Sequence, residues 1–502
     1  MRKPSHRLIL ILTTILVACG DADSPTIGST AATAAAAQAA NAQSLEDDPL
    51  INPVLRPWTG DLPGIHQRRA IRVLVSYGPT NYFIRGGQAL GFEAELMHRY
   101  DEFLNRGASG RELRTDMVFV PVPFDRLLPA LIEGRGDIVA AGLTVTPERE
   151  KRVAFTDPYL PNVAEIVVSG KGVQGLESLT DLAGRTVYAV RGSSFVGSLR
   201  ALSDRLRKEG HKAIEINEMD EILEQHDLLE MVNAGILELT VVDDHIAEIW
   251  SGVLPDIVLR RDLEVAGGGR IGWAVRQESP KLRESLNTFL GEHKSGTLTG
   301  NILFKRYYRD TKWVKNPVAA TEVKRVRELI PIFRKYGDQF GIDWLMLAAQ
   351  GYQESGLDQT KKSSSGALGV MQIKPSTAAD KSVGIPDIGS ADSNIHAGTK
   401  YLAYLRDSYF GSDEIEPMAQ IHLSLAGYNA GPNRVQQLRK KAESMGLDPN
   451  VWFFNVERAA LAEGVTQPVH YVANIHKYYV AYKLSLDTLL RREVERQRVS
   501  GN

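Results

Sequence analysis

The feature that most constrains this chain is an alternation of strand-like and helix-like segments starting at Ile71. "AIRVLVSY" reads as a strand, with Val73 and Val75 alternating against Arg72 and Leu74. "ALGFEAELMHRYDEFLNRG" reads as an amphipathic helix, with Phe92, Leu96, Tyr100, Phe103 and Leu104 on one face. A second strand, "TDMVFVPV", is followed by a second helix, "FDRLLPALIEGRGD", stopped by Gly134 and Gly136. "IVAAGL" is a third strand. A helix between two strands returns the chain to its starting end, so the strands pair in parallel and helices cover both faces of the sheet. Strands resume at "EIVVSG", "TVYAVRG", "AIEIN", "LELTVVDD" and "RIGWAVR", and Gly267–Gly269 suits a bend between two lobes.

From Trp313 the texture changes. Strand alternation gives way to helical spacing over 318–340, 344–353, 393–409, 415–428 and 469–490. A chain of 502 residues exceeds one ordinary core, so two or three domains are expected. The expected fold class is multidomain: a two-lobe α/β domain over residues 61–312, then a mainly α domain over 313–502. A formal net charge of -2 gives no bulk attraction to nucleic acid.

The start of the chain has its own grammar. Arg2, Lys3 and Arg7 precede the apolar run "LILILTTILVA", which is about half of the ~20 residues needed to cross a bilayer. That is a secretory signal over residues 1–18. The run ends in "LVAC", and Cys19 is the chain's single cysteine. This end resembles the lipobox of bacterial lipoproteins, which implies cleavage before Cys19, its lipidation and a membrane anchor. An Ala-, Ser- and Thr-rich tether then extends to about residue 60.

"GDIVAAGLTVTPEREKRVAFTDPYL" (Gly136 to Leu160) and "GFEAEL" (Gly91 to Leu96) resemble the signature of periplasmic amino-acid-binding proteins. The chemistry fits a free amino acid. Arg149 offers a planar fork to a carboxylate, and Thr144 and Thr146 supply hydroxyls. Ser193 and Ser194 precede a helix whose free N–H groups also favour an anion. The family places an aspartate in the second lobe against the ammonium, which implies Asp243, with Asp244 as its neighbour. It places aromatic pocket walls at Tyr82, Phe83 and Phe124. Singly, each residue also has a plain structural reading: a surface arginine, a helix cap, a cap again. The resemblance implies an amino acid or a muropeptide-derived peptide as ligand.

The helix 344–353 leads to Glu354. Leu345, Ala348, Ala349 and Tyr352 form its core stripe, while Leu347, Gln350 and Gly351 share the face of Glu354. Gly351 leaves that face open to a bulky ligand. The negative helix end and apolar neighbours both favour the protonated acid. A solvated glutamate at a helix end is the plain alternative. "QESGLDQTKKSSSGALGVMQIKPSTA" and "AGYNAGP" resemble soluble-type lytic transglycosylases of lysozyme-like fold. The resemblance implies Glu354 as sole catalytic acid, cleaving between MurNAc and GlcNAc and closing a 1,6-anhydro ring. It also implies substrate contacts at Ser363, Gln372, Tyr428, Asn429 and Tyr471, and no metal or cofactor. Lys374 and Gln467 depart from the family pattern, which usually has methionine and glutamate there.

Together the modules resemble membrane-bound lytic murein transglycosylases. The expectation is an exo-acting murein lyase, lipid-anchored at the periplasmic face of the outer membrane, with a ligand-sensing domain. Its partners are peptidoglycan glycan strands, the small ligand and the membrane. One rival is a binding protein with a murein-anchoring module. Another is a lysozyme-like hydrolase.

Overall fold

The computed structural model describes residues 56–85, 88–107, 114–308 and 322–500. Cys19, the run before it, most of the tether and the junction at 312/313 lie outside the described residues.

Two five-stranded sheets form the first half. After α1 (Leu62–Arg68), β1 (Ala70–Val75) leads to a hairpin of β2 (Phe83–Arg85) and β3 (Gln88–Leu90), then α2 (Phe92–Leu104). β4 (Asp116–Pro121), α3 (Leu127–Ile132), β5 (Ile138–Val139), α4 (Pro147–Glu150) and β6 (Ala154–Phe155) follow. β1 pairs in parallel with β4 and β5, as the helical crossovers require. The chain then leaves this lobe along β7 (Leu160–Gly170). β8 (Thr186–Ala189), α5 (Ser194–Lys208), β9 (Glu215–Glu218), α6 (Gln225–Asn233), β10 (Leu239–Asp243) and α7 (Asp244–Ser251) build the second lobe. β11 (Ile257–Ile271) returns to β12 (Ala274–Val275) in the first sheet. α8 (Pro280–His293) and α9 (Leu298–Tyr308) close the domain. β7 and β11 pair antiparallel and carry both crossings between the lobes.

Three expectations are corrected in this half. β1 does not alternate between core and solvent, because all six of its residues are buried. Arg72 is fully buried, and its charge is met by Asp137, which also accepts from Arg68 and Arg276. A central parallel strand is covered on both faces, so its one charge has to be paired. Of "IVAAGL" only Ile138–Val139 is strand. Gly267–Gly269 lies inside β11, among successive register shifts against β7. Gly268 has φ +66°, and a Cβ on Gly269 would stand 2.8 Å from the Val163 carbonyl. The glycines therefore bend a continuous strand.

The second half is helical: α10 (Glu322–Phe340), α11 (Trp344–Ser355), α12 (Pro375–Ala379), α13 (Ala391–Leu405), α14 (Pro417–Ala430), α15 (Pro432–Ser444), α16 (Glu457–Ala462) and α17 (Gln467–Ser500). The apolar faces of α11, α13, α14 and α17 share one core, where Tyr352 meets Tyr478 edge-on at 4.6 Å. α17 also touches the second lobe. Lys477 Nζ lies 2.8 Å from Glu230 and 3.3 Å from Asp227, both on α6.

Candidate active site and ligand cleft

Glu354 occupies the last turn of α11, which ends at Gly356 in the left-handed region. The Tyr471 hydroxyl, from α17, donates to Glu354 Oε1 at 2.6 Å. Gln350 Nε2 donates to that same hydroxyl at 3.2 Å, which aims the tyrosine proton at the carboxylate. Lys361 Nζ donates to the Glu354 backbone carbonyl at 2.9 Å. Burial pushes the Glu354 pKa up to about 7; the Tyr471 hydrogen bond and the Lys361 charge oppose this without cancelling it. Among the described residues, Lys361 is the charge acting on Glu354, and no second carboxylate does.

Tyr428 Oη donates to the Met371 carbonyl at 2.9 Å, and its ring packs against Tyr401 at 5.2 Å. Burial holds the Tyr428 and Tyr471 hydroxyls well above their ordinary pKa. Both stay protonated at neutral pH, which leaves Glu354 as the group of this constellation that titrates there. Asn429 Oδ1 is buried without a hydrogen-bond partner. Gln372, at φ 45°, donates to the Gly369 and Lys361 carbonyls and braces the loop after the helix. Ser363 Oγ accepts the Ala367 N–H at 2.9 Å, closing the "SSSGA" turn.

Gly351 is a correction. A Cβ there would meet Val370 at 3.0 Å and both Leu357 and Phe333 at 3.2 Å. The missing side chain admits the protein's own core, not a ligand.

In the cleft between the lobes, Arg149 Nη1 donates to the Thr144 carbonyl at 2.7 Å and Nη2 to the Gly192 carbonyl of the other lobe at 3.1 Å. Asp243 ends β10 and is buried, with Oδ2 accepting from Gln225 at 3.1 Å and Oδ1 unpartnered. The Arg149 charge acts on Asp243, and Asp244 instead binds His245. His245 also acts on Asp243, so both aspartates stand beside it. Ser194 reaches Glu165. Two hydroxyls are committed locally: Thr146 Oγ1 caps α4 through the Arg149 N–H, and Ser193 Oγ donates to the Val190 carbonyl at 2.6 Å. Tyr82 is buried against Phe119 and Tyr77 in the first lobe. Phe124 opens a short 3₁₀ turn beside Asp125. Phe83 lines a cavity of about 320 Å³ next to α17, with Tyr77, Glu224, Trp250 and Lys477.

Residues 71–309 match the bacterial extracellular solute-binding proteins, family 3, and residues 331–449 match the transglycosylase SLT domain. Over 447 residues the chain is 31% identical to a membrane-bound lytic murein transglycosylase F of Pseudomonas syringae pv. tomato, covering 85% of each. The chain belongs to the membrane-bound lytic murein transglycosylase F family. The relative from Desulfosudis oleivorans is 31% identical over 394 residues, covering 77% of this chain and 81% of its own. An ancestral arginine-binding protein bound to arginine aligns with 48% of the chain and all of its own length, at 25% identity and TM-score 0.41. The two family matches give a two-lobe binding-protein domain followed by a lysozyme-like helical domain.

The family motif "GFEAEL" acquires a structural reason. Glu93 is fully buried and accepts from the Gly142 N–H at 2.8 Å, Trp273 Nε1 at 2.8 Å and the Tyr159 hydroxyl. Sequence reasoning missed the Gln350–Tyr471–Glu354 chain, although Gln350 stands one turn before Glu354 on the same face. It also missed Gln225, Glu165 and Lys477, whose roles appear only in strand register and domain packing.

Proposed function

We propose that this protein is a murein lytic transglycosylase whose one catalytic carboxyl is Glu354. The observation that carries this is a half-buried acid whose carboxylate accepts from Tyr471 and on which, among the described residues, no second carboxylate acts; burial pushes its pKa up to about 7. Protonated Glu354 gives its proton to the oxygen between MurNAc and GlcNAc as the C1–O bond breaks. The sugar's acetamido group supports the cation, which in most glycosidases falls to a second carboxylate. The resulting Glu354 carboxylate then takes the proton of the MurNAc 6-hydroxyl, and O6 closes on C1. One proton leaves and returns, no water is consumed, and a 1,6-anhydro end results. Tyr471 steadies the carboxylate between the two steps. Tyr428, Asn429, Gln372 and Ser363 line or shape the sugar cleft. The test is Glu354→Gln, which keeps shape and removes the proton donor. Lysis should fall by ~10²–10⁴-fold with unchanged thermal unfolding. Substantial residual lysis would remove Glu354 from this role.

In this reading residues 61–312 sense an amino acid or a short peptide, with Arg149 for its carboxylate and Asp243 for its ammonium. A ligand bridging both lobes favours their closed arrangement. A continuous path supports an effect on lysis. Gln225, which holds Asp243, begins α6; Asp227 and Glu230 on α6 hold Lys477; and Lys477 shares α17 with Tyr471. Residues 313–502 form the catalytic domain. Among the described residues no helix is long and apolar enough to cross a membrane. We place the anchor at lipidated Cys19, on the periplasmic face of the outer membrane.

A further inference from the structure

The first-lobe/second-lobe cleft holds more negative charge than a simple amino acid answers. Glu165 on β7 and Asp243 on β10 are directly opposed residues of an antiparallel pair. Opposed residues share one face of the sheet with Cβ atoms ~5 Å apart, and two like charges so placed repel. Both side chains are at least nine-tenths buried, at 5% and 2% exposure. Glu165 Oε2 and Asp243 Oδ1 have no hydrogen-bond partner, and among the described residues no ion pair reaches either carboxylate. Glu165 also faces Ser194 and Ser198 of α5. Arg149 acts on both acids and its Nη groups are held by backbone carbonyls, and His245 acts on Asp243 as well.

We infer that this cleft selects a ligand with two cationic groups, an α-amino acid carrying a second ammonium or guanidinium on its side chain, with Glu165 as the acceptor for that second cation. The inference rests on the amino-acid-binding reading of Arg149 and Asp243. Charge accounting leads to it. Arg149 with two carboxylates leaves one net negative charge, and the neighbouring Asp244–His245 pair, which also acts on Asp243, adds no net positive charge to offset it. A zwitterionic ligand adds nothing and leaves that charge buried. A ligand of net charge +1 neutralises the site and supplies donors to both unpartnered oxygens. Buried charges are tolerated when paired and hydrogen-bonded, and are costly otherwise. Burial raises the pKa of both acids; Arg149 opposes this at Glu165, while at Asp243 His245 opposes it and Glu165 and Asp244 add to it.

The test is calorimetry on the full-length protein in detergent, with lysine, arginine, norleucine, glutamine and the dipeptide Ala-Lys as probes. A charge-assisted hydrogen bond predicts that lysine or arginine binds roughly 10–100-fold tighter than norleucine. Glu165→Gln should erase that preference by weakening lysine and arginine, with norleucine bound no less tightly than by the wild type. Ala-Lys binding better than lysine would identify a peptide end as the source of the same chemistry. Equal affinity for lysine and norleucine would overturn the second-cation claim and leave the amino-acid pocket standing. Equal loss of both ligands in Glu165→Gln would reduce Glu165 to a support for α5, which also overturns it. No binding by a protein with intact thermal unfolding would overturn the pocket reading beneath it.

Discussion

Tyr471→Phe perturbs one atom at the proposed centre. The hydroxyl donates to Glu354 at 2.6 Å and so favours the ionised carboxylate. Its removal must raise the Glu354 pKa further above the ordinary carboxyl range. A hydrogen bond to a charged group contributes ~1.5–3 kcal/mol. At 1.36 kcal/mol per pH unit this is ~1–2 units. Partial replacement by water favours the lower figure, taking the pKa from about 7 to roughly 8. The acid form of Glu354 is needed for the first step, so the alkaline limb of kcat/KM for murein should move up by about one unit. Below the limb the rate should fall, because the carboxylate formed in the first step has lost its support. The assay is release of soluble muropeptides from sacculi across roughly pH 5 to 9, which spans the limb of the wild type and that of the variant. An alkaline limb that stays fixed, or moves down, would refute the assignment of that limb to Glu354 and of Tyr471 as its partner.

Lys477→Met leaves Asp227 and Glu230 buried without their cation; breaking such a pair costs ~3–5 kcal/mol. Ligand should still bind the first domain but no longer alter turnover, and intact coupling in calorimetry with parallel lysis assays would discard the α6–α17 path. Gly351→Ala forces a methyl to within 3.0–3.2 Å of Val370, Leu357 and Phe333. Overpacking should lower stability by ~1–3 kcal/mol in denaturant unfolding; a neutral result would restore the view that this face opens to ligand. Cys19→Ser should move the protein from membrane to soluble fractions, and retention after carbonate washing would mean another anchor.

The halves differed in how far the sequence could be read. The crossover logic placed β1, β4 and β5 in parallel because it depends only on the order of elements. The same logic said nothing of β7 and β11, whose antiparallel crossing runs from Ile257 opposite Gly170 to Ile271 opposite Leu160. Glu354 was legible because a helix end, a glycine stop and a motif coincide within a few residues. Gly351 was misread because a glycine is silent about which neighbour fills its space. The lipobox reading concerns residues outside those described. Thr146 and Ser193 bond to nearby backbone, as short hydroxyl side chains beside a helix start commonly do. Glu165 could not be singled out at all: its significance lies in being opposite Asp243, a fact of register.

The central claim is that a lone acid cleaves murein without water. Mass spectrometry of sacculi digested by the wild-type protein tests it most directly. The account predicts glycan products that end in 1,6-anhydro-MurNAc, one water lighter than the hydrolytic equivalents, and no solvent ¹⁸O in the new ends. Reducing-end MurNAc carrying ¹⁸O as the main product would contradict it.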